Sequence, residues 1–166
     1  MNSHFKFNET IFNSQTYGIL LFPQVLDCIL KFMDEDAKSK YSFIIGTDST
    51  GKNSGAPVDF ITAILVHRIG SGGIYFWHKL VGQGHSIYQR VFKETSLSLE
   101  FTEAFLAELK VRKIENFSFE IHVDVGQNGK TRDIINEVVG MIKSSGLTVV
   151  TKPLAYAASK VADRHT

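Results

Sequence analysis

The stretch Tyr41-Ser-Phe-Ile-Ile-Gly-Thr-Asp-Ser-Thr-Gly51 decides the fold. Its aromatic and β-branched run reads as a short buried strand, and the Gly46-Thr-Asp-Ser turn places Asp48 at the carboxyl end. Downstream, Val58–Val66 reads as a second strand and Ile74–Val81 as a third, hairpinned through Gly70-Ser-Gly-Gly73. A polar loop, Gly82–Gln89, leads to a helix capped at Thr95 or Ser96, with Leu97, Phe101, Phe105, Leu106 and Leu109 at helical spacing up to Val111. Phe117–Val123 is a fourth strand, again ending in an acid, Asp124. Gly129–Lys143 reads as a helix stopped by Ser-Ser-Gly146, Leu147–Val150 as a fifth strand and Leu154–Thr166 as an Ala-rich helix. Upstream, Pro23 followed by Val25, Leu26, Ile29, Leu30, Phe32 and Met33 predicts an amphipathic helix over roughly 22–37. Residues 1–15 carry no assignable pattern.

These elements predict an α/β fold: a mixed five-stranded sheet, a three-strand meander followed by αβαβα, with an extra N-terminal helix. The first strand should lie centrally, between the second and the fourth, because sequential strands usually neighbour and crossovers are right-handed. The expectation is one domain, with 1–40 as a helical extension and 41–166 as the core.

Composition narrows the function classes. The 166 residues are 43% hydrophobic and 21% charged, with 13 Phe and only 3 Pro, which excludes a disordered tail, a collagen-like repeat and a disulfide scaffold. A net charge of +1 excludes a global basic field, so any basic groove has to be local. Cys28 is the single cysteine, which excludes intramolecular disulfides and Cys-rich metal sites. The apolar run Ile19-Leu-Leu-Phe22 is far too short for a membrane span and lacks the flanks of a signal peptide. The expected setting is the cytoplasm, without a membrane partner.

Four acids occupy positions that a metal site uses: Asp48 and Asp124 ending strands, Glu100 on the central helix and Asp163 on the last helix. Ligands in open α/β sheets sit beyond the carboxyl ends of strands. Mg²⁺ and Mn²⁺ want hard carboxylate and water oxygens, and two such ions stabilise both the attacking and the leaving oxygen of a phosphoryl displacement. Taken singly, each acid also has an ordinary reading, Asp48 as an Asx turn and Glu100 as a solvated face residue beside Glu103. The set carries the case.

Two stretches approach a phosphate loop and fail. Gly46-Thr-Asp-Ser-Thr-Gly-Lys-Asn53 has Asn where a Mg²⁺-binding hydroxyl belongs, and Pro57 where a helix should run. Asp124-Val-Gly-Gln-Asn-Gly-Lys-Thr131 has Asp in place of the first glycine, though a backbone nest there remains open for a phosphate, beside a plain capped helix start. His85 and His165 read first as loop and terminal residues, His122 as a satisfied sheet-face histidine, and Tyr75 and Trp77 as sheet-face aromatics. Cys28 has no base at a recognisable offset.

The order strand-Asp, helix-Glu, strand-Asp, helix-Asp resembles the ribonuclease H-like fold, and Thr95-Ser-Leu-Ser-Leu-Glu-Phe101 is similar to the central helix of ribonuclease H. More narrowly, Gly46-Thr-Asp-Ser49, Ile121-His-Val-Asp-Val-Gly-Gln-Asn-Gly-Lys-Thr-Arg132 and Tyr156-Ala-Ala-Ser-Lys-Val-Ala-Asp-Arg-His-Thr166 resemble the YkuK-like family of that group. The resemblance implies a metal-dependent nuclease with Asp48, Glu100, Asp124 and Asp163 as ligands of Mg²⁺ or Mn²⁺, two ions, and water as nucleophile. The expected partner is nucleic acid (RNA, DNA or a hybrid). Lys130, Arg132, Lys160 and Arg164 flank the two C-terminal motifs, where a substrate backbone would pass. Two other readings stay open: a non-catalytic nucleic-acid- or protein-binding module on the same fold, and half of a sugar-kinase or actin-type ATPase, which needs a second such domain.

Overall fold

A computed structural model describes residues 5–6, 8–50, 56–83, 86–156, 160–161 and 164. The strands are β1 (Ile11–Ser14), β2 (Gly18–Leu21), β3 (Tyr41–Thr50), β4 (Pro57–Arg68), β5 (Gly73–Gln83), β6 (Phe117–His122) and β7 (Val149–Val150). The helices are α1 (Phe22–Asp34), α2 (Ile87–Val111) and α3 (Ile135–Ser144), the last preceded by a 3₁₀ turn at Arg132–Ile134. All seven strands join one mixed sheet in the order β2-β1-β5-β4-β3-β6-β7.

The centre of the sheet is as expected. β3 pairs antiparallel with β4, Asp48 opposite Ile61, and parallel with β6, Gly46 opposite His122. The β4–β5 hairpin turns through Gly70 and Gly72, both at φ above +80°, a region a side chain would strain. The sheet has seven strands rather than five because residues left unassigned above form the β1–β2 hairpin. It joins β5 through Asn13 opposite Trp77 and adds two strands at that edge. The segment before 41 is therefore hairpin plus helix, not a helical extension alone.

Helix α1 stops at Asp34, short of the expected 37, because Asp36 diverts the chain by accepting from the Ser39 hydroxyl at 2.7 Å and the Lys38 N–H at 3.3 Å. Its last carbonyls are taken up by tertiary partners: Arg68 Nη2 donates to Phe32 O at 2.6 Å, and the Tyr41 hydroxyl lies 3.2 Å from Met33 O. The Arg68 guanidinium also stacks 4.2 Å from the Phe32 ring centroid.

The largest correction concerns α2. Its cap is Ser86, whose hydroxyl accepts from the Gln89 N–H while the Gln89 side chain accepts from the Ser86 N–H. Thr95 and Ser96 are interior, their hydroxyls donating back to Val91 O at 2.9 Å and Phe92 O at 2.8 Å. The helix therefore begins about two turns earlier than the sequence suggests. Its buried stripe runs through Val91, Glu94, Thr95, Ser98, Phe101 and Phe105. Ser98 donates to Thr47 Oγ1 at 2.9 Å and Phe105 meets Phe43 edge-on, so α2 lies antiparallel to β3.

Most of the phenylalanine is spent on this side of the sheet. Phe5, Phe12, Phe22, Phe43, Phe101 and Phe105 are buried in one cluster with α1 and α2. On the other face, Val161 packs on Ile61 and Ala63 beside Tyr75 and Trp77, as sheet-face aromatics should. After β7 the chain turns through Thr151–Ala155 rather than entering a helix at Leu154, because Thr151 O accepts from both Leu154 N and Ala155 N. Residues 160, 161 and 164 are helical, and the rest of the expected final helix lies outside the described residues. Residues 129–131 are likewise loop and turn rather than the start of α3.

Candidate active site

β3 and β6 run side by side in the same direction, so Asp48 and Asp124 reach one end of the sheet together. Asp48 is still paired within β3 and accepts from the Ser49 N–H at 2.9 Å, while Asp124 lies two residues past β6. Between them opens a cleft of about 340 Å³, lined by Asp48, Glu94, Asp124, Arg90, Lys130 and Lys152 among others. The loop Asn128–Thr131 forms one wall.

The helical carboxylate at this cleft is Glu94, not Glu100. Because α2 runs antiparallel to β3, Glu94 stands level with Ser49, while Ser98 is already at Thr47. Glu100 is six residues further on, about 9 Å down the axis and off the buried stripe. It is half-buried and does not line the cleft. A cap at Thr95 or Ser96 leaves Glu94 ahead of the helix, which is why the sequence reading passes over it. The signal that would have found it is the Ser86–Gln89 capping box.

Glu94 is buried, with 8% of its surface exposed. Burial pushes its carboxyl up to about 7; a hydrogen bond from Ser49 opposes this, and the charges of Asp48 and Asp124 add to it. The ordinary value is 4.5, so between there and about 7 the folded chain holds a proton that the unfolded chain has released. In chelator, stability should fall as pH rises through that window, by roughly 3 kcal/mol, and then level off. Glu94→Gln should remove this contribution, leaving the opposite slope of His78 and His122, whose pKa values burial lowers, and should gain stability relative to wild type toward pH about 8. Urea titrations at both ends of the window check this; parallel curves for the two proteins would show the carboxyl to be solvated.

Lys152 was not anticipated. Its Nζ lies 2.8 Å from Asp124 Oδ1 as an ion pair, and that buried oxygen has no other polar partner among the described residues. Among the described residues, no three His, Cys, Asp or Glu side chains are grouped tightly enough to hold a metal. The donor chemistry nonetheless fits a hard divalent cation: three carboxylates line one cleft, and two of them raise the pKa of the third.

Of the basic residues expected along a substrate path, Lys130 lines the cleft. Arg132 opens the 3₁₀ turn behind it, and Lys160 lies over the Tyr156 ring, 5.6 Å from its centroid. Arg164 is exposed. Asp163, His85 and His165 lie outside the described residues. Neither phosphate-loop look-alike has that loop's form: the first continues as strand to Thr50, and the second leads into a three-residue 3₁₀ turn. His122 is satisfied on both nitrogens, Nδ1 accepting from Tyr156 N at 3.2 Å and Nε2 lying 3.1 Å from Glu120 Oε2. Burial holds its pKa below the ordinary value. Burial likewise raises the Cys28 thiol on α1, away from this cleft.

Among the described residues no helix is long and apolar enough to cross a membrane. No solved structure matches the chain significantly. The uncharacterized protein YkuK of Bacillus subtilis (strain 168) is 31% identical, over 94% of this chain and 96% of its own length. The model of the family described as ribonuclease H-like matches residues 24–166, which takes in β3, β6, α2 and every residue of the cleft. With its central strand flanked by an antiparallel meander and a parallel β6, the chain belongs to the YkuK-like proteins of the ribonuclease H-like family.

Proposed function

We propose that this chain is a divalent-metal-dependent phosphodiester hydrolase acting on nucleic acid. The observation that carries the reading is the meeting of Asp48, Glu94 and Asp124 at one cleft beyond two adjacent parallel strands. Asp48 and Asp124 are the main ligands for Mg²⁺ or Mn²⁺, Glu94 replaces Glu100 as the helical carboxylate, and Asp163 is the fourth acid. A bound cation supplies Lewis acidity and lowers the pKa of water. Glu94 is buried beside Asp48 and Asp124, and a bound cation would favour its ionised form there. No covalent protein nucleophile takes part. Lys130 and Arg132, with Lys160 and Arg164, meet the phosphates of the substrate backbone.

The test is a panel of single-stranded, duplex and hybrid oligonucleotides with Mg²⁺, Mn²⁺, Ca²⁺ or chelator. Cleavage is expected with Mg²⁺ or Mn²⁺ and absent with Ca²⁺, whose longer and looser coordination misplaces the water. Lys130→Ala should reduce the magnitude of the log–log salt slope of binding by about 0.7 on single strands or 0.9 on duplex. Equal cleavage by wild type and Asp124→Asn would expose a contaminating nuclease. Salt-sensitive binding without cleavage would replace the hydrolase with a binding module.

A further inference from the structure

The place at Asp124 where a cation belongs already has one. Lys152 follows β7, and its N–H donates to Val125 O at 2.9 Å, tying the turn after β7 to the loop after β6. A Cβ built on Gly126 would stand 3.1 Å from Lys152 Cβ, so the missing side chain at 126 gives the lysine stem its path. The ammonium ends 2.8 Å from Asp124 Oδ1, an oxygen with no other polar partner among the described residues. Three carboxylates in the cleft, Asp48, Glu94 and Asp124, face three cations, Arg90, Lys130 and Lys152.

Two divalent ions about 3.5–4 Å apart rely on carboxylates to neutralise their mutual repulsion. Here the carboxylate at the end of β6 is already engaged by an ammonium, and the cleft carries no surplus of acid among the described residues. We propose that Lys152 is the second positive centre of the cleft, so that the chain takes one divalent cation rather than the two expected from its sequence. An ammonium held beside Asp124 meets developing charge on a phosphate oxygen without the coordination geometry that an ion demands. Lys152 is thus a positioning charge built into the turn after β7. The inference rests on the metal-dependent reading above.

The experiment counts Mn²⁺ bound by the full chain, from the loss of the free-ion EPR signal, with calorimetry for affinity. Wild type should take one ion per chain. Lys152→Ala should take two, or take its one ion at least ten-fold more tightly. Lys152→Gln, which keeps the stem without the charge, should behave as the alanine variant does and covers the event that alanine fails to fold, while Lys152→Arg should again take one ion at wild-type affinity. Two ions in wild type, or an alanine variant identical to wild type, would overturn the role of Lys152 while leaving the metal reading intact. If neither wild type nor Lys152→Ala takes Mn²⁺, the metal reading falls and the inference goes with it.

Discussion

Asp48→Asn is expected to lower metal-dependent cleavage by at least about 10³-fold while leaving the melting temperature unchanged or raised. A ligated cation contributes several kcal/mol to charge stabilisation in phosphoryl transfer, and each 1.36 kcal/mol is ten-fold in rate, so losing a main ligand costs about three decades. The fold should not suffer, because asparagine keeps the oxygen that accepts from the Ser49 N–H. Stability should rise if it changes, since one of the charges pushing the Glu94 carboxyl upward is gone. Single-turnover rates and thermal melts, measured on one preparation, read both halves. A variant that cleaves at the wild-type rate would remove Asp48 from the site, and one that has lost its cooperative melt would make it structural.

Phe101→Ala should destabilise the chain by about 3–5 kcal/mol. Phe101 is fully buried, with ring centroids of Phe5, Phe12, Phe22 and Phe105 at 4.9, 5.5, 5.5 and 5.7 Å. These partners come from the N-terminal segment, the hairpin, the start of α1 and α2 itself, so none can close the vacated space alone. At roughly 2–4 °C per kcal/mol for a chain of this size, the melting temperature should fall by about 10 °C. Phe101→Leu, which keeps most of the volume, should lose much less. A loss below about 1 kcal/mol for the alanine variant would mean that the segment before α1 does not pack on α2.

How much of this was legible depends on where the information lies. β3 to β6 could be read because Phe43-Ile-Ile45, Phe60-Ile61 and Phe119-Glu-Ile121 combine β propensity with turn punctuation, and those strands carry Asp48 and Asp124. The start of α2 was misread because Ser and Thr favour caps only when their hydroxyls are free to take a backbone N–H. Thr95 and Ser96 instead donate backwards, inside the helix, and a start set about two turns late draws the eye to Glu100 and past Glu94. β1 and β2 are four residues each and attach to β5 by one register pair, so no local pattern marks them. Lys152 reaches Asp124 only through the pairing of β7 with β6, a relation between segments that no spacing within either one encodes.

The parallel pairing of β3 with β6 also orders the events by which the cleft comes into being. β3, β4 and β5 are neighbours both along the chain and across the sheet, so they pair through short loops at small entropic cost. β6 joins only after the whole of α2 has been spanned, and such non-local closures come late and slowly. A chain emerging from the ribosome therefore holds Asp48 on a nearly finished meander while the β3 edge still waits for its partner, open to whatever strand is nearby. Asp124 is brought to Asp48 and Glu94 only when β6 pairs with β3, whereas Asp48 and Glu94 already meet where α2 packs on β3.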